Sequence, residues 1–173
     1  MTLRVAVTLC VLVAGTGCHK KALLLNPDAE FCGLTGPKIR VPAFTIRISL
    51  SEEAAKRLQD TGETIKGLVD FDGDGIPKDD EYTAPMRPIV LGCYQFEVQK
   101  PGEVLISNAY ISAEQSKRLT NPDYYVAINI FSGRRAFKDN VLNNGFAEMH
   151  VSQVAKEPVQ ITCDLLPQFP TNR

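Results

Sequence analysis

Short runs of alternating apolar and polar residues recur along this chain, and they restrict its fold more than any other feature. Residues 44–50, Phe-Thr-Ile-Arg-Ile-Ser-Leu, carry an apolar side chain at every second position, which in an extended strand places all of them on one face. Further strand-forming segments occupy residues 65–71, 88–99, 103–111, 124–130, 146–154 and 159–165. A strand with one apolar face buries it against another layer, so the pattern predicts a mostly β domain over residues 40–166, followed by a C-terminal tail at 167–173.

Two short helices are predicted between the strands. Residues 51–58 begin with Ser51, which can cap a helix, and two glutamates follow that suit the positive end of the helix dipole. Residues 112–119 begin with Ser112, and Gln115 stands three positions later, which is the spacing of a capping box. Both segments are too short to form a layer of their own, so we expect them to connect strands.

The two helical segments are similar in sequence. Residues 50–58, LSEEAAKRL, recur 61 positions later as residues 111–119, ISAEQSKRL, and each copy lies between strand patterns. The similarity predicts two copies of a strand–helix–strand unit, although short amphipathic helices also resemble one another by chance. Many strands with two crossover helices favour an antiparallel β-sandwich, similar to the immunoglobulin and transthyretin folds, with the helices between strands.

The first 17 residues have the organisation of a signal peptide. Arg4 supplies a positive charge, and residues 5–14 form an apolar segment of ten residues, about half of the roughly 20 that a helix needs to cross a bilayer. Small residues at 14–17, Ala-Gly-Thr-Gly, then precede Cys18. This sequence resembles the lipobox of bacterial lipoproteins, with Gly15 where that family usually has leucine.

The resemblance implies cleavage before Cys18 and attachment of lipid, including fatty acids such as palmitate, to Cys18. Residues 18–39 would then be a lipidated N-terminus and tether that holds the domain at the bilayer of the cell envelope. His19 follows the cysteine where an aspartate would favour the inner membrane, so the resemblance implies the outer membrane, facing the periplasm or the surface. Two other interpretations stay open: a secretory signal with Cys18 unmodified, and an uncleaved membrane anchor.

The remaining cysteines of the exported chain are candidates for a disulfide bond. Export places them in a compartment where disulfides persist. If Cys18 is lipidated, one bridge and one free thiol remain, and if it is not, two bridges are possible. The spacing does not assign the pairing and does not match a zinc site. The candidates are Cys32, Cys93 and Cys163.

Residues 70–81, DFDGDGIPKDDE, carry the sharpest chemical signal in the chain. They resemble the calcium loops of EF-hands and of thrombospondin type 3 repeats. The resemblance implies a glycine turn at Gly75 and an all-oxygen ligand set of four carboxylates and one backbone carbonyl, which suits calcium. The implied ligands are Asp70, Asp72, Asp74, Ile76 through its carbonyl, and Glu81. Because the preceding residues form a strand pattern, we expect one structural calcium loop between two strands. An acidic turn without an ion is the alternative.

Several function classes are disfavoured by the composition. Removing Arg4 with the signal takes the formal net charge from −1 to −2, so the charge gives no reason to expect nucleic-acid binding. No Ser-His-Asp arrangement is suggested, and His150, in phase with Phe146 and Glu148, is expected to be an ordinary strand-surface or core residue. Arg134, Arg135 and Lys138 form a small basic cluster, expected to be a solvated loop.

The sequence therefore predicts a non-enzymatic structural or protein-interaction module of the envelope. It would bind the bilayer through its N-terminal lipid and contact an envelope protein, with a calcium ion as its cofactor. The alternative is a secreted or periplasmic domain that binds a carbohydrate or another small ligand. That function needs exposed aromatic side chains, for which Tyr82, Tyr94 and Tyr110 are the candidates.

Overall fold

The computed structural model describes residues 23–24, 34–76, 88–143 and 145–167. These residues form ten strands and three short helices. In chain order they are β1 Leu23–Leu24, β2 Lys38–Arg40, β3 Phe44–Leu50, α1 Glu52–Thr61, β4 Ile65–Gly73, β5 Ile89–Val98, β6 Gly102–Ile106, β7 Tyr110–Ser112, α2 Ala113–Ser116, β8 Tyr125–Ser132, β9 Gly145–His150, α3 Val151–Val154 and β10 Val159–Cys163.

The strands form two four-stranded sheets and one two-stranded pair. The antiparallel sheet has the order β5-β4-β8-β9, and the mixed sheet has the order β1-β6-β3-β10, while β2 pairs with β7. The predicted mostly β, antiparallel sandwich is confirmed. Two pairs of the mixed sheet, β1 with β6 and β3 with β10, are parallel. Strand β10 can pair with β3 in parallel because α3 carries the chain from β9, in the antiparallel sheet, across to the mixed sheet.

The hydrophobic core lies between the inward faces of the sheets. In β3 the alternate residues Phe44, Ile46 and Ile48 are buried, and in β4 the buried set includes Val69 and Phe71. The residues between them are exposed or half-buried, as expected for strands with one solvent-facing side. The alternation read from the sequence therefore gives the correct inward face for these two strands.

Helix α1 begins and ends as the sequence predicts. The Ser51 hydroxyl accepts a hydrogen bond from the Ala54 N–H at 3.4 Å, and Glu52 and Glu53 occupy the first turn. Gly62 ends the helix in the left-handed conformation, with φ of 70°, which glycine adopts without a steric penalty. Ala54 and Leu58 are its buried residues.

The strand predicted at residues 146–154 is shorter in the structure, where β9 covers Gly145–His150. The chain is extended only to His150 and then forms α3. Asp123 provides the reason, because its carboxylate accepts hydrogen bonds from both the N–H and the hydroxyl of Ser152. The His150 N–H is in turn bound by the side chain of Gln153 at 2.9 Å. These side chains satisfy the first N–H groups of the short helix and stop the strand.

The two similar segments occupy comparable places in the fold. Ser51 and Ser112 each accept a hydrogen bond from the N–H three residues later. Helix α1 leads from β3 into β4, and α2 leads from β7 into β8, and β4 and β8 are antiparallel neighbours. Helix α2 covers only Ala113–Ser116, shorter than predicted. Duplication of the unit stays a prediction.

Across the described ranges, none of the helices has the length and hydropathy that a membrane crossing requires.

Candidate calcium site

The first two predicted calcium ligands lie on a strand. Strand β4 continues to Gly73, and Asp70 and Asp72 project from its outer face, the side opposite the core. Both side chains are half-buried there. In the adjacent strand β8, Ala127 lies opposite Asp70 and Tyr125 lies opposite Asp72. The two carboxylates therefore point the same way, roughly 7 Å apart along the strand, and the register shift just before Asp72 is the only irregularity between them.

Electrostatic repulsion acts on this part of the outer face. Burial raises the pKa of the Asp70 carboxyl above its ordinary value. Burial also raises the pKa of Asp72, and the negative charges of Glu148, Asp70 and Asp74 raise it further. Three neighbouring carboxylates thus disfavour the ionised form of Asp72, and a divalent cation would relieve that repulsion. This observation fits the predicted chemistry of the site.

Glu148 is the acidic residue that sequence reasoning missed. It lies on β9 opposite Ala127, so Asp70, Ala127 and Glu148 form one row across three strands. The alternation of β9 places Glu148 on the outer face, but the order of strands in the sheet cannot be read from the pattern. Glu148 comes close to Asp70 only because β9 is the second neighbour of β4 in the sheet.

The second half of the loop is tied to the segment after α2. The Asp74 carbonyl accepts hydrogen bonds from the N–H and the hydroxyl of Thr120, at 3.0 and 3.1 Å. The Ile76 N–H donates to the Arg118 carbonyl at 2.9 Å, and the Arg118 Nε donates to the Ile76 carbonyl at 3.1 Å. The carbonyl predicted to bind calcium therefore already accepts a hydrogen bond from a guanidinium.

Gly75 serves a different purpose from the predicted sharp turn. It forms an antiparallel bridge with Leu119, and the described positive-φ glycines are Gly36, Gly62 and Gly102. A Cβ at position 75 would lie 2.6 Å from the Arg118 carbonyl oxygen. Gly75 is thus required by the close approach of two backbones.

The described residues bring together only part of the predicted ligand set. Glu81 lies outside the described residues. Among the side chains that the structure does describe, no group of three or more His, Cys, Asp or Glu residues is arranged to hold a metal ion. The calcium site stays a prediction, with Asp70, Asp72 and Asp74 placed at one end of β4.

Of the two cysteines that the structure describes, one is bonded and one is free. Cys93, on β5, is buried and disulfide-bonded. Cys163, at the end of β10, is a buried free thiol, and burial raises its pKa. Which of the other cysteines is bonded to Cys93 stays a prediction. Cys18 and Cys32 lie outside the described residues.

The structure brings a serine, a histidine and an aspartate together, which the sequence did not suggest. The Ser152 hydroxyl donates to the Asp123 carboxylate at 2.8 Å. His150 Nδ1 lies 2.7 Å from the Asp123 backbone carbonyl, and the His150 ring packs on Tyr125 with centroids 4.6 Å apart. The serine is bound to the carboxylate rather than to the histidine, so the order of contacts differs from that of a nucleophilic triad. The contacts serve the start of α3.

The basic loop after β8 is held by two carboxylates. Glu63 is 2% exposed, and its oxygens accept hydrogen bonds from the N–H groups of Arg135, Ala136 and Phe137. Glu97 accepts two hydrogen bonds from the Arg135 guanidinium, at 2.8 and 2.7 Å. The loop is therefore fastened to the body of the domain, and Arg135 pairs with Glu97 although its side chain is exposed.

The two candidate aromatic residues that the structure describes, Tyr94 and Tyr110, do not form an exposed platform. Tyr94 is 1% exposed and belongs to the core, and Tyr110 is half-buried. Tyr82 lies outside the described residues. A shallow cleft of about 140 Å³ lies between Phe44, Leu105 and Pro158. Its volume is below the roughly 300 Å³ at which small-molecule sites begin.

Neither a family model, nor a curated protein, nor a solved structure matches the chain.

Proposed function

We propose that this chain is a membrane-anchored lipoprotein of the bacterial cell envelope, with a non-enzymatic structural or protein-interaction role and a structural calcium ion. The observation that carries the proposal is the run of small residues before Cys18, placed directly after an apolar segment too short to span a bilayer. The lipid on Cys18 would hold the β-sandwich at the bilayer, and an envelope protein would be its partner.

The position of the first strand supports a domain held close to the bilayer. Leu23 and Leu24 pair with Val104 and Leu105 of β6. Only four residues separate Cys18 from Leu23, and an extended chain covers at most about 3.6 Å per residue. A lipid on Cys18 would therefore lie within roughly 18 Å of the folded sheet.

The contacts of Ser152 support a non-enzymatic role. A serine nucleophile needs a base that takes its proton, whereas the Ser152 hydroxyl donates to Asp123. The Asp123 carboxylate also accepts the Ser152 N–H, which is the geometry of a helix cap. Capping accounts for this arrangement without a catalytic function.

The calcium ion would bind at the end of β4 through Asp70, Asp72, Asp74 and Glu81, with the Ile76 carbonyl as the fifth ligand. Oxygen ligands alone suit calcium, and the repulsion of Asp72 by the neighbouring carboxylates supports a cation there. Arg118 would have to release the Ile76 carbonyl, or share it, when the ion binds. The ion would then join β4 to the chain that leads toward β5.

The anchor is tested by the behaviour of the full chain in a bacterial host. The variant Cys18→Ser removes the lipidation site, and Thr16→Ser is the matched control because it keeps a small residue in the lipobox. We expect the native chain and Thr16→Ser to enter the detergent phase of a Triton X-114 extract, and Cys18→Ser to stay in the aqueous phase. Equal detergent partitioning of Cys18→Ser would contradict the lipid anchor and support an uncleaved membrane segment.

The calcium site is tested by isothermal titration of the purified protein with calcium alone. We expect a dissociation constant of about 10⁻⁴ to 10⁻³ M, as in extracellular calcium modules. Asp70→Ala should abolish the binding heat, and Asp60→Ala, an exposed carboxylate paired with Lys56 on α1, should retain it. Binding that survives in Asp70→Ala, or no heat with the native protein, would refute the site.

A further inference from the structure

We infer that residues 25–33, the N-terminal strap, dock across the open side of the sandwich from β6 to β5, and that the disulfide bond of Cys93 fixes them there. The inference rests on the proposed processing and lipidation of Cys18, because these leave Cys32 as the cysteine available to Cys93. It replaces the free tether expected from the sequence by a fixed connection, and so adds how the domain is held at the bilayer.

The chain is attached to a different sheet on each side of the strap. Before it, Leu23 and Leu24 pair with β6 at the edge of the mixed sheet. After it, Leu34 packs beside β5, the edge strand of the antiparallel sheet, because a Cβ at Gly92 would lie 2.9 Å from the Leu34 side chain. Residues 99–101 alone join β5 to β6, so the two edges lie on the same side of the sandwich. The strap therefore passes from one layer to the other across that side.

The length of the strap suits this path. Its nine residues cover at most about 32 Å, and packed sheets lie about 10 Å apart. Both attachment points lie away from the β5–β6 turn, since Leu24 is opposite Leu105 near the end of β6 and Gly92 is near the start of β5. A short crossing thus joins them, and several residues are left to contact the surface.

Cys93 shows that the outer face of β5 is covered. It lies opposite Asp70, on the face away from the core, and yet it is 2% exposed. Gln95 and Glu97, which follow on the same face of β5, are half-buried. Cys93 is disulfide-bonded, and Cys163, the other described cysteine, is free, so the bonded partner lies outside the described residues. We attribute the cover over Cys93 to the segment that is bonded to it.

The two faces of β5 place the strap around the edge of this strand. Gly92 faces the core, since it lies opposite the buried Phe71, and Leu34 packs on this side. Cys93 faces the opposite side. Cys32 stands two residues before Leu34, a distance of at most about 7 Å, so a chain that leads from Leu34 to the Cys93 side passes the edge of β5. There it would cover the N–H and C=O groups that an edge strand leaves unpaired.

The docked strap shortens the connection between the lipid and the domain. With β1 in place, the lipid lies within roughly 18 Å of the sheet. If β1 and the strap were released, Leu34 would be the first attached residue, and the 16 positions from Cys18 would reach about 58 Å. Strand β1 has only two residues, and a terminal segment is poorly ordered unless it is tied down. The bond at Cys93 ties it down by holding the strap close to β6.

Single tryptophans can report the docking because the native chain contains none. Gln95→Trp places the probe on the outer face of β5, next to Cys93 on that face. Asn129→Trp is the matched control, because Asn129 is exposed on β8 in the same row across the sheet, with Leu68 between the two. The lipidated proteins are reconstituted in phosphatidylcholine vesicles, and acrylamide quenching of the tryptophan fluorescence is measured.

We expect acrylamide to quench Gln95→Trp less than Asn129→Trp in the bridged protein. Adding Cys32→Ser, which removes the bond, should raise the quenching of Gln95→Trp toward that of Asn129→Trp. Adding Cys163→Ala, which removes the free thiol, should leave it unchanged. Hydrogen exchange of the β6 amides should be faster in Cys32→Ser than in the native chain, and that of β8, a central strand, should be the same in both.

Two results overturn the inference. Quenching of Gln95→Trp equal to that of Asn129→Trp in the bridged protein refutes the docking. Quenching and β6 exchange that do not change with Cys32→Ser, or that change equally with Cys163→Ala, refute the role of the disulfide. Mass measurement of the same samples separates these failures from that of the proposed function, because an unlipidated Cys18 refutes the lipoprotein itself.

Discussion

Glu63 shows how one residue can fix a loop that the sequence leaves undefined. It follows the glycine that ends α1, where a glutamate is expected to be solvated. Instead it is buried, and its carboxylate binds the N–H groups of Thr64, Arg135, Ala136 and Phe137. Burial opposes its ionisation, but the four N–H donors outweigh this effect and its pKa is lowered. Glu63 and Arg135 are 72 positions apart in the chain, which explains why no local pattern reveals the contact.

Glu63→Gln should destabilise the domain by about 2 to 4 kcal/mol, because an amide cannot accept four hydrogen bonds and places its own N–H₂ against donors. Urea unfolding measures the loss. The control Glu53→Gln, an exposed residue of α1, should change stability by less than about 0.5 kcal/mol. Equal stability of the two variants would show that the loop does not depend on Glu63.

Stability should also fall with acidification because of Glu97. The Arg135 guanidinium lowers the pKa of this carboxyl from its ordinary 4.5 to about 2. A carboxyl with a lowered folded-state pKa stabilises the fold above the unfolded-state value and loses that contribution as the pH falls from about 5 to 2. The solvent-exposed partner Arg135 reduces the contribution to roughly 1 kcal/mol. Glu97→Gln should flatten the decrease of stability measured by urea unfolding over this range, and an unchanged slope would contradict the role of the pair.

The thiol chemistry gives a third prediction at the residue scale. A Cβ at Gly92 would lie 2.9 Å from the Leu34 side chain, so Leu34 packs beside the residue that precedes Cys93. Cys32 stands two residues earlier, at most about 7 Å from residue 34, so we expect it to reach Cys93. Peptide mapping without reduction should give a Cys32–Cys93 bridge, and one thiol, Cys163, should react with a thiol reagent only after unfolding. A bridge from Cys18 to Cys93 would contradict both the pairing and the lipidation.

At the scale of elements, the helix that the sequence predicts best is the one whose signals are local. Helix α1 has a capping serine, glutamates in its first turn and a glycine at its end, all within twelve residues. Helix α3 has only a weak local signal, the bond between the Gln153 side chain and the His150 N–H, and the carboxylate at its start is Asp123 from another segment. The β9 pattern therefore continues into α3 when it is read from the sequence alone.

The cap residues of the two similar segments should differ in their importance. Ser51 caps a helix of ten residues with two buried side chains, whereas α2 has four residues and buries none. Ser51→Ala should cost about 1 kcal/mol in thermal or urea unfolding. Ser112→Ala should lower the free energy of unfolding by less, because the helix that it caps is shorter. A larger loss for Ser112→Ala than for Ser51→Ala would mean that α2 stabilises the fold more than its length indicates.

At the scale of the molecule, the sequence predicts the layers but not their connections. Alternation of apolar and polar residues specifies which face of a strand is buried, and this was enough to predict a β-sandwich. It contains no information on strand order, so the parallel β3–β10 pair and the row from Asp70 to Glu148 could not be foreseen. The candidate site is also only partly predictable from the sequence. Its acidic residues lie within one short segment of the chain, whereas Arg118, which binds the Ile76 carbonyl, belongs to the segment after α2.

The central claim is that Cys18 is the lipidated first residue of the mature protein. Mass spectrometry of the chain isolated from the membranes of a bacterial host tests it directly. We expect an N-terminal peptide that begins at Cys18 and carries the mass of a diacylglyceryl group, with a further fatty acid on its amino group in hosts that add one. An unmodified Cys18, or a mature N-terminus at any other residue, would contradict the account.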